Sequence, residues 1–187
     1  MDTFRLSDTH FPLVVSVMPP RIDVPMMSEY VERIDAIYRR GERFATLVDT
    51  SRMEAIPTSA DRAFLAEWQN RTVELITRHN VINVTVVQSV LMRGALSAMN
   101  WIFPPPSEQL VVADFDEGFR ICLDRLRRES ASLPAGLERL ASLGRPIRGD
   151  DFPGTPEESG GRAVLTGQNA AATAASSATA SSKSEKS

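Results

Sequence analysis

The chain is poor in the residues from which many enzyme sites are built. It has 187 residues but one cysteine and two histidines, and its two lysines, Lys183 and Lys186, both lie near the C-terminal end. A single cysteine forms no internal disulfide, and with only two histidines the sequence predicts no metal centre. The lysine positions exclude a phosphate-loop lysine, a kinase lysine and a Schiff-base lysine from a folded core. We therefore expect no metal and no cofactor.

Aromatic residues and long apolar runs are also few, and the net charge is small. Aromatic residues make up 6% of the chain, and the formal net charge is −3. Nucleic-acid binding usually needs a basic surface and aromatic side chains for base stacking, and both are weak here. No stretch approaches the ~20 apolar residues of a membrane helix, and the first residues lack the pattern of a signal peptide. We expect a cytoplasmic protein that binds no nucleic acid and does not span a membrane.

The composition changes towards the C-terminal end of the chain. Residues 150–187 are rich in alanine, serine and threonine and contain few large apolar side chains. Such a segment buries too little apolar surface to offset the entropy of ordering it. The sequence therefore predicts a folded domain over residues 1–128, a short amphipathic helix and linker over residues 129–149, and a disordered tail over residues 150–187.

Within the predicted domain, short apolar runs alternate with segments of helical periodicity. Strands are predicted near residues 4–7, 11–17, 44–48, 81–87 and 109–113, and helices near residues 26–40, 59–79 and 89–103, with a fourth helix after Asp114. Alternating strands and helices are typical of α/β domains with a mostly parallel sheet. We predict a three-layer α/β domain with about five strands and four crossover helices.

The end of the third predicted strand carries the first candidate site residues. Ligands of open α/β sheets bind beyond the carboxyl ends of the strands, where Asp49 and Ser51 are expected. Asp49 and the acidic residues after it permit acid–base chemistry, or Asp49 only fixes a turn. Asp49, Ser51 and His79 contain the residue types of a hydrolase triad, although the Gly-x-Ser-x-Gly pattern of a nucleophile elbow is missing.

The third predicted helix carries further candidates. Arg93, near its start, permits an anion site, or it pairs with a surface acid while Gly94 lets the helix approach the sheet closely. Leu91 is in phase with the apolar side of this helix. Trp101 precedes three prolines and either belongs to an exposed docking patch or packs in the core. In the fourth helix, Cys122 has the phase of a buried thiol.

Residues 48–60, VDTSRMEAIPTSA, resemble the region around the second helix of STAS domains, which share the predicted order of elements. Asp49 matches an aspartate at the strand end of these domains, and Thr58 and Ser59 fall where they carry a serine pair. Pro57 and Ala60 stand in place of the aspartate and glycine of the family motif.

A second stretch, residues 88–106, is similar to a divergent bacterial group of SpoIIAA-like STAS proteins. It shares with them a serine, an Arg-Gly-Ala-Leu core and a tryptophan before prolines. The resemblance as a whole covers residues 4–128 and implies a STAS fold, which agrees with the three-layer α/β domain predicted above. It identifies the fold more closely than an activity.

The resemblance implies a protein-interaction domain that is controlled by phosphorylation. The phosphorylated residue of the family corresponds to Ser59, with Thr58 beside it, and Asp49, Ser51 and Trp101 are expected on the partner surface. The leading hypothesis is a non-enzymatic cytosolic module that binds another protein, such as a kinase or signalling partner. The alternative is a small-ligand or lipid sensor with a cavity between sheet and helices. A purely structural interpretation makes Thr58 and Ser59 helix caps.

Overall fold

A computed structural model of the protein describes residues 3–54, 58–94, 96, 105–129 and 132–154. Within these residues, five strands form one sheet, in which each strand lies beside the next one in the chain. The strands are β1 (Arg5–Ser7), β2 (Leu13–Val17), β3 (Phe44–Asp49), β4 (Asn80–Val86) and β5 (Gln109–Val112). β1 runs antiparallel to β2, and the other neighbouring pairs are parallel. The predicted α/β class with a mostly parallel five-stranded sheet is therefore confirmed.

Helices cover both faces of the sheet. They are α1 (Val24–Tyr38), α2 (Ser59–His79), α3 at residues 90–94, α4 (Phe115–Glu129) and α5 (Ala135–Ala141), and a short 3₁₀ helix spans Gly149–Asp151. The arrangement is compatible with the predicted three-layer fold. The prediction of four crossover helices is wrong for the residues that the structure describes, because there α4 follows the last strand and connects it to no further strand.

The first face of the sheet packs against α1 and α2. Val14 and Phe44 of the sheet share a buried apolar cluster with Ile34 of α1 and Trp68 of α2. The Trp68 indole Nε1 donates a hydrogen bond of 2.9 Å to the carboxylate of Asp35, which joins the two helices.

Both ends of α2 lie where the sequence predicts them, whereas α1 begins two residues earlier than predicted. The reason is local. Asp23 caps α1 by accepting a hydrogen bond from the Met26 N–H, and Pro25 lies in the first turn, where a missing N–H costs nothing.

The second face packs against α4. Cys122 and Phe119 of α4 are buried against the sheet, as predicted, and burial raises the pKa of the Cys122 thiol. Gly118 permits this close approach, since a Cβ atom there would lie 2.8 Å from Leu47 Cδ1. The same role predicted for Gly94 is wrong, because a Cβ atom at Gly94 would meet nothing within 4 Å.

Residues beyond the predicted domain complete this second face. Leu137 of α5, Ile147 and Phe152 are buried in the same apolar cluster as Leu13 and Val15 of β2. The Phe152 ring also packs edge-on against His10 and lies near the rings of Phe115 and Phe119. The short amphipathic helix predicted within residues 129–149 is present as α5, which packs on the domain. The predicted start of the tail at residue 150 is wrong, because Phe152 is buried against β2 and Asp150 is hydrogen-bonded to Arg5 of β1. The predicted tail beyond residue 154 lies outside the described residues.

Candidate functional site

The topology gathers most of the predicted site residues at one edge of the sheet. β2, β3, β4 and β5 run parallel, so their carboxyl ends and the loops that follow lie together; we call this region the carboxyl edge. Asp49 ends β3, and Ser51, Thr58 and Ser59 follow it on the way into α2. Arg93 lies in α3, which follows the neighbouring end of β4. Trp101 lies outside the described residues.

The start of α2 separates the roles of Thr58 and Ser59. Thr58 is the N-cap, and its hydroxyl oxygen accepts the N–H of Asp61 at 3.2 Å. The Asp61 carboxylate, only 5% exposed, accepts in return the Thr58 N–H and hydroxyl, both at 2.7 Å. Ser59 is the first helical residue and is exposed. The interpretation as a helix cap is therefore right for Thr58 and wrong for Ser59.

Asp49 fixes the turn after β3, as one of the predicted interpretations has it. Its Oδ1 accepts the N–H of Ser51 at 2.9 Å, and its main-chain oxygen accepts the N–H of Met18 at 2.8 Å. The residue is 7% exposed. Within the described part of the chain, Oδ2 accepts no hydrogen bond and no cationic side chain forms an ion pair with Asp49.

Asp49 and Ser51 line a cleft of about 410 Å³ at the carboxyl edge, which we call the carboxyl-edge cleft. Its apolar lining includes Val17, Val86, Phe115 and Ile147, and its polar lining includes Asp49, Ser51, Arg52, Gln88, Asp114, Arg148 and Asp150. The segment around Gly149 forms one wall. A Cβ atom on Gly149 would lie 3.0 Å from Asp49 Oδ2 and 2.9 Å from Val17 Cγ2, so glycine permits this close approach.

An ion-pair cluster joins the segment around Gly149 to β1 and to the turn after β3. The Asp150 carboxylate accepts hydrogen bonds from Arg5 at 2.7 Å and from Arg52 at 2.9 Å. The hydrogen bond from Arg5 and the charge of Arg52 hold the pKa of Asp150 below its ordinary value. No sequence pattern predicts this cluster, because its members lie up to 145 positions apart in the chain.

The Arg93 side chain binds back to the main chain of the loop between β4 and α3. Its Nη1 donates to the main-chain oxygens of Val87 and Gln88, at 2.7 and 2.6 Å. The predicted pairing of Arg93 with a surface acid is therefore wrong within the described residues. Two main-chain carbonyls hold the guanidinium instead, and the anion site stays a prediction.

Two large apolar side chains at the start of α3 are exposed. Val90 is 75% exposed and Leu91 is 83% exposed. The apolar phase predicts that Leu91 faces the sheet, and this prediction is wrong. α3 begins beyond the end of β4, so periodicity alone does not tell whether its first turn has a sheet to pack on.

The structure separates the residues of the hydrolase-triad hypothesis. His79 ends α2 immediately before the start of β4, whereas Asp49 and Ser51 lie at the opposite, carboxyl edge. The acid–base hypothesis has no support from Asp61, whose carboxylate caps α2. Among the described residues, no three or more histidine, cysteine or acidic side chains form a group that could hold a metal ion.

Comparison of the chain with known proteins identifies no relative. The chain matches no protein-family model, no curated protein and no solved structure. None of the helices in the described ranges combines the length and the apolar character needed to cross a membrane. The chain's own geometry therefore defines the candidate site as the carboxyl edge, with its cleft and the exposed starts of α2 and α3.

Proposed function

We propose that this domain is a non-enzymatic regulatory module that binds another protein through its carboxyl edge, under the control of phosphorylation at Ser59. The observation that carries the proposal is the exposure of Val90 and Leu91 on the same edge as the exposed Ser59. Protein-binding surfaces combine apolar contact area with a polar rim. A kinase or another signalling protein is the expected partner.

The chemistry of the α2 start supports control by phosphate. Thr58 and Asp61 already cap the helix, so the fold does not depend on a phosphate at Ser59. A helix start favours added negative charge by ~0.3–1 kcal/mol. The phosphate would change the partner surface more than the fold, because it sets nearly two negative charges beside an apolar contact area. The resemblance of residues 48–60 to STAS domains supports the same site.

The pocket beside α1 and α2 supports a protein partner over the lipid of the alternative hypothesis, which is a small-ligand or lipid sensor. An apolar pocket lies where α1 and α2 meet the sheet, and its lining includes Phe4, Met18, Met27, Tyr30 and Leu65. Its volume is about 60 Å³. Pockets for small organic ligands measure roughly 300–1,000 Å³, so this one does not hold an acyl chain.

Partner capture from an extract of the source cells tests the proposal. The bait proteins are the wild type, Ser59→Asp and Leu91→Ser. Ser132→Asp and Leu143→Ser are the matched controls, since both residues are exposed and lie on the segment that follows α4. We expect Ser59→Asp and Leu91→Ser to lose the partner that the wild type and both controls retain. All five proteins should unfold within ~2 °C of one another, because exposed substitutions change stability little.

Recovery of the same partner in equal amounts by all five baits would contradict the proposal. Loss of the partner with Leu91→Ser alone would leave a constitutive binding surface without a switch at Ser59.

A further inference from the structure

The buried carboxylate of Asp49 has no part in the protein-binding surface at Ser59 and Leu91. Asp49 is 7% exposed, its Oδ1 accepts one main-chain N–H, and within the described residues it has no ion-pair partner. Burying a charge is costly unless an opposite charge or several hydrogen bonds compensate it. A carboxylate in this state attracts a positively charged group.

Asp49 lines a cleft of the size and position of a small-molecule site. The cleft measures about 410 Å³, within the range of roughly 300–1,000 Å³ that holds small organic ligands. It lies beyond the carboxyl ends of parallel strands, where open α/β sheets bind their ligands. Val17, Val86 and Phe115 give it an apolar lining next to the carboxylate. A ligand that fits both features has a cationic group and an apolar body.

The other acids of the cleft already have partners. Asp150 pairs with Arg5 and Arg52. Asp114 Oδ1 accepts the N–H groups of Asp116 at 2.9 Å and Glu117 at 3.1 Å, at the start of α4.

Among the described residues of the lining, the remaining charged group is Arg148, which is exposed. In the described part of the chain, no ion pair joins it to Asp49. Asp49 is therefore the acid of this cleft that a ligand is best placed to neutralise.

We propose that the carboxyl-edge cleft binds a small organic cation, namely a protonated amine or guanidinium group on an apolar body. The cationic group pairs with the Asp49 carboxylate, and the apolar body packs on Val17, Val86 and Phe115. The Ser51 hydroxyl and the Gln88 side-chain amide offer polar contacts at the rim. An organic cation fits better than a metal ion, because the described residues contain no cluster of metal ligands.

Titration calorimetry on the full chain tests this site with three phenylalkyl probes that differ in charge. The probes are 2-phenylethylamine, which is a cation at neutral pH, the neutral 2-phenylethanol and the anion 3-phenylpropionate. We expect saturable binding of the amine, at least ten-fold weaker binding of the alcohol, and no binding of the carboxylate. Amide chemical shifts should change around Ser51 and Gly149.

Two variants locate the bound cation. Asp49→Asn keeps an acceptor for the Ser51 N–H but removes the charge, and it should weaken amine binding at least ten-fold. Asp124→Asn is the matched control, because it removes the same charge from an exposed position on α4 and should leave binding unchanged. Gln88→Arg adds a positive charge at an exposed position on the rim and should weaken amine binding several-fold even if Asp49→Asn fails to fold.

The absence of saturable amine binding would overturn the proposal. So would equal affinity for the amine and the alcohol, or an amine affinity unchanged by Asp49→Asn and by Gln88→Arg. This test is independent of the proposed protein partner, since Ser59→Asp should bind the amine like the wild type.

Discussion

Thr58 and Ser59 are adjacent in the chain but have different roles. The Thr58 hydroxyl takes part in a reciprocal set of hydrogen bonds with Asp61, while Ser59 presents its side chain to solvent. The first therefore contributes to the stability of α2, and the second is available to a modifying enzyme. An alanine at each position distinguishes the two roles.

We expect Thr58→Ala to lower the free energy of unfolding by about 1 kcal/mol, the usual cost of losing a threonine cap. Ser59→Ala should change it by less than about 0.5 kcal/mol, as exposed substitutions do. Urea denaturation of both variants and the wild type measures the difference. Equal losses from the two alanines would mean that Ser59 also caps the helix.

The residues of the site differ in how far the sequence alone predicts them. The Thr58 cap is predictable, because its partner lies three positions away and the spacing is characteristic. The turn at Asp49 is equally local. The isolation of the Asp49 carboxylate is not predictable, because its surroundings include the segment around Gly149, a hundred positions further along the chain.

Among the elements, α4 depends most closely on one small residue. At Gly118 the helix approaches the sheet, and an added methyl group would lie 2.8 Å from Leu47 Cδ1, 3.2 Å from Val84 Cγ1 and 3.3 Å from Val112 Cγ2. Alanine is a better helix former than glycine by about 1 kcal/mol, whereas overpacking a core costs about 1–3 kcal/mol. The two effects oppose each other, and the contacts with Val84 and Val112 leave little room to relax.

Gly118→Ala should therefore lower the free energy of unfolding by about 1 kcal/mol. Gly94→Ala is the matched control, because it makes the same change in a helix with open space around it, and it should be neutral or stabilising by up to about 1 kcal/mol. Thermal or urea unfolding of the two variants decides the matter. A stabilised Gly118→Ala protein would show that α4 can move away from the sheet at little cost.

The elements also show where periodicity succeeds and where it fails. The bounds of α2 and the buried side of α4 follow from their own sequences, because caps and apolar spacing are local signals. Leu91 has the spacing of an inward-facing residue and is nevertheless exposed. Spacing gives the side of a helix on which a residue lies, but it does not say whether anything packs there.

At the scale of the whole molecule, the segment after α4 decides where the domain ends. Its glycines, prolines and acids resemble a linker, and its few large apolar side chains are easily overlooked. Phe152 is nonetheless 1% exposed, in a cluster with residues of β2 and α4. Composition averages over many residues, whereas one buried phenylalanine is enough to make a segment part of the core.

We expect Phe152→Ala to cost about 3–5 kcal/mol, which is typical of a phenylalanine removed from a core. A chain that ends at residue 154 should keep its melting temperature within ~2 °C, whereas Phe152→Ala should lower it by roughly 6–20 °C. Scanning calorimetry compares both with the full chain. If Phe152→Ala melts like the wild type, the segment around it is not part of the cooperative unit.

The cover that Phe152 and its neighbours place over β1 and β2 has a consequence for the order of events during synthesis. On the second face of the sheet, strands that are made first are covered by residues that are made late, since Leu13 and Val15 share a cluster with Phe152 and Arg5 meets Asp150 across 145 positions of chain. Leu13 and Val15 therefore lack this part of their apolar cover until almost the whole domain has left the ribosome. Contacts between distant parts of a chain tend to form slowly, so we expect this cover to be completed late in folding, and exposed apolar surface before that stage favours chaperone binding.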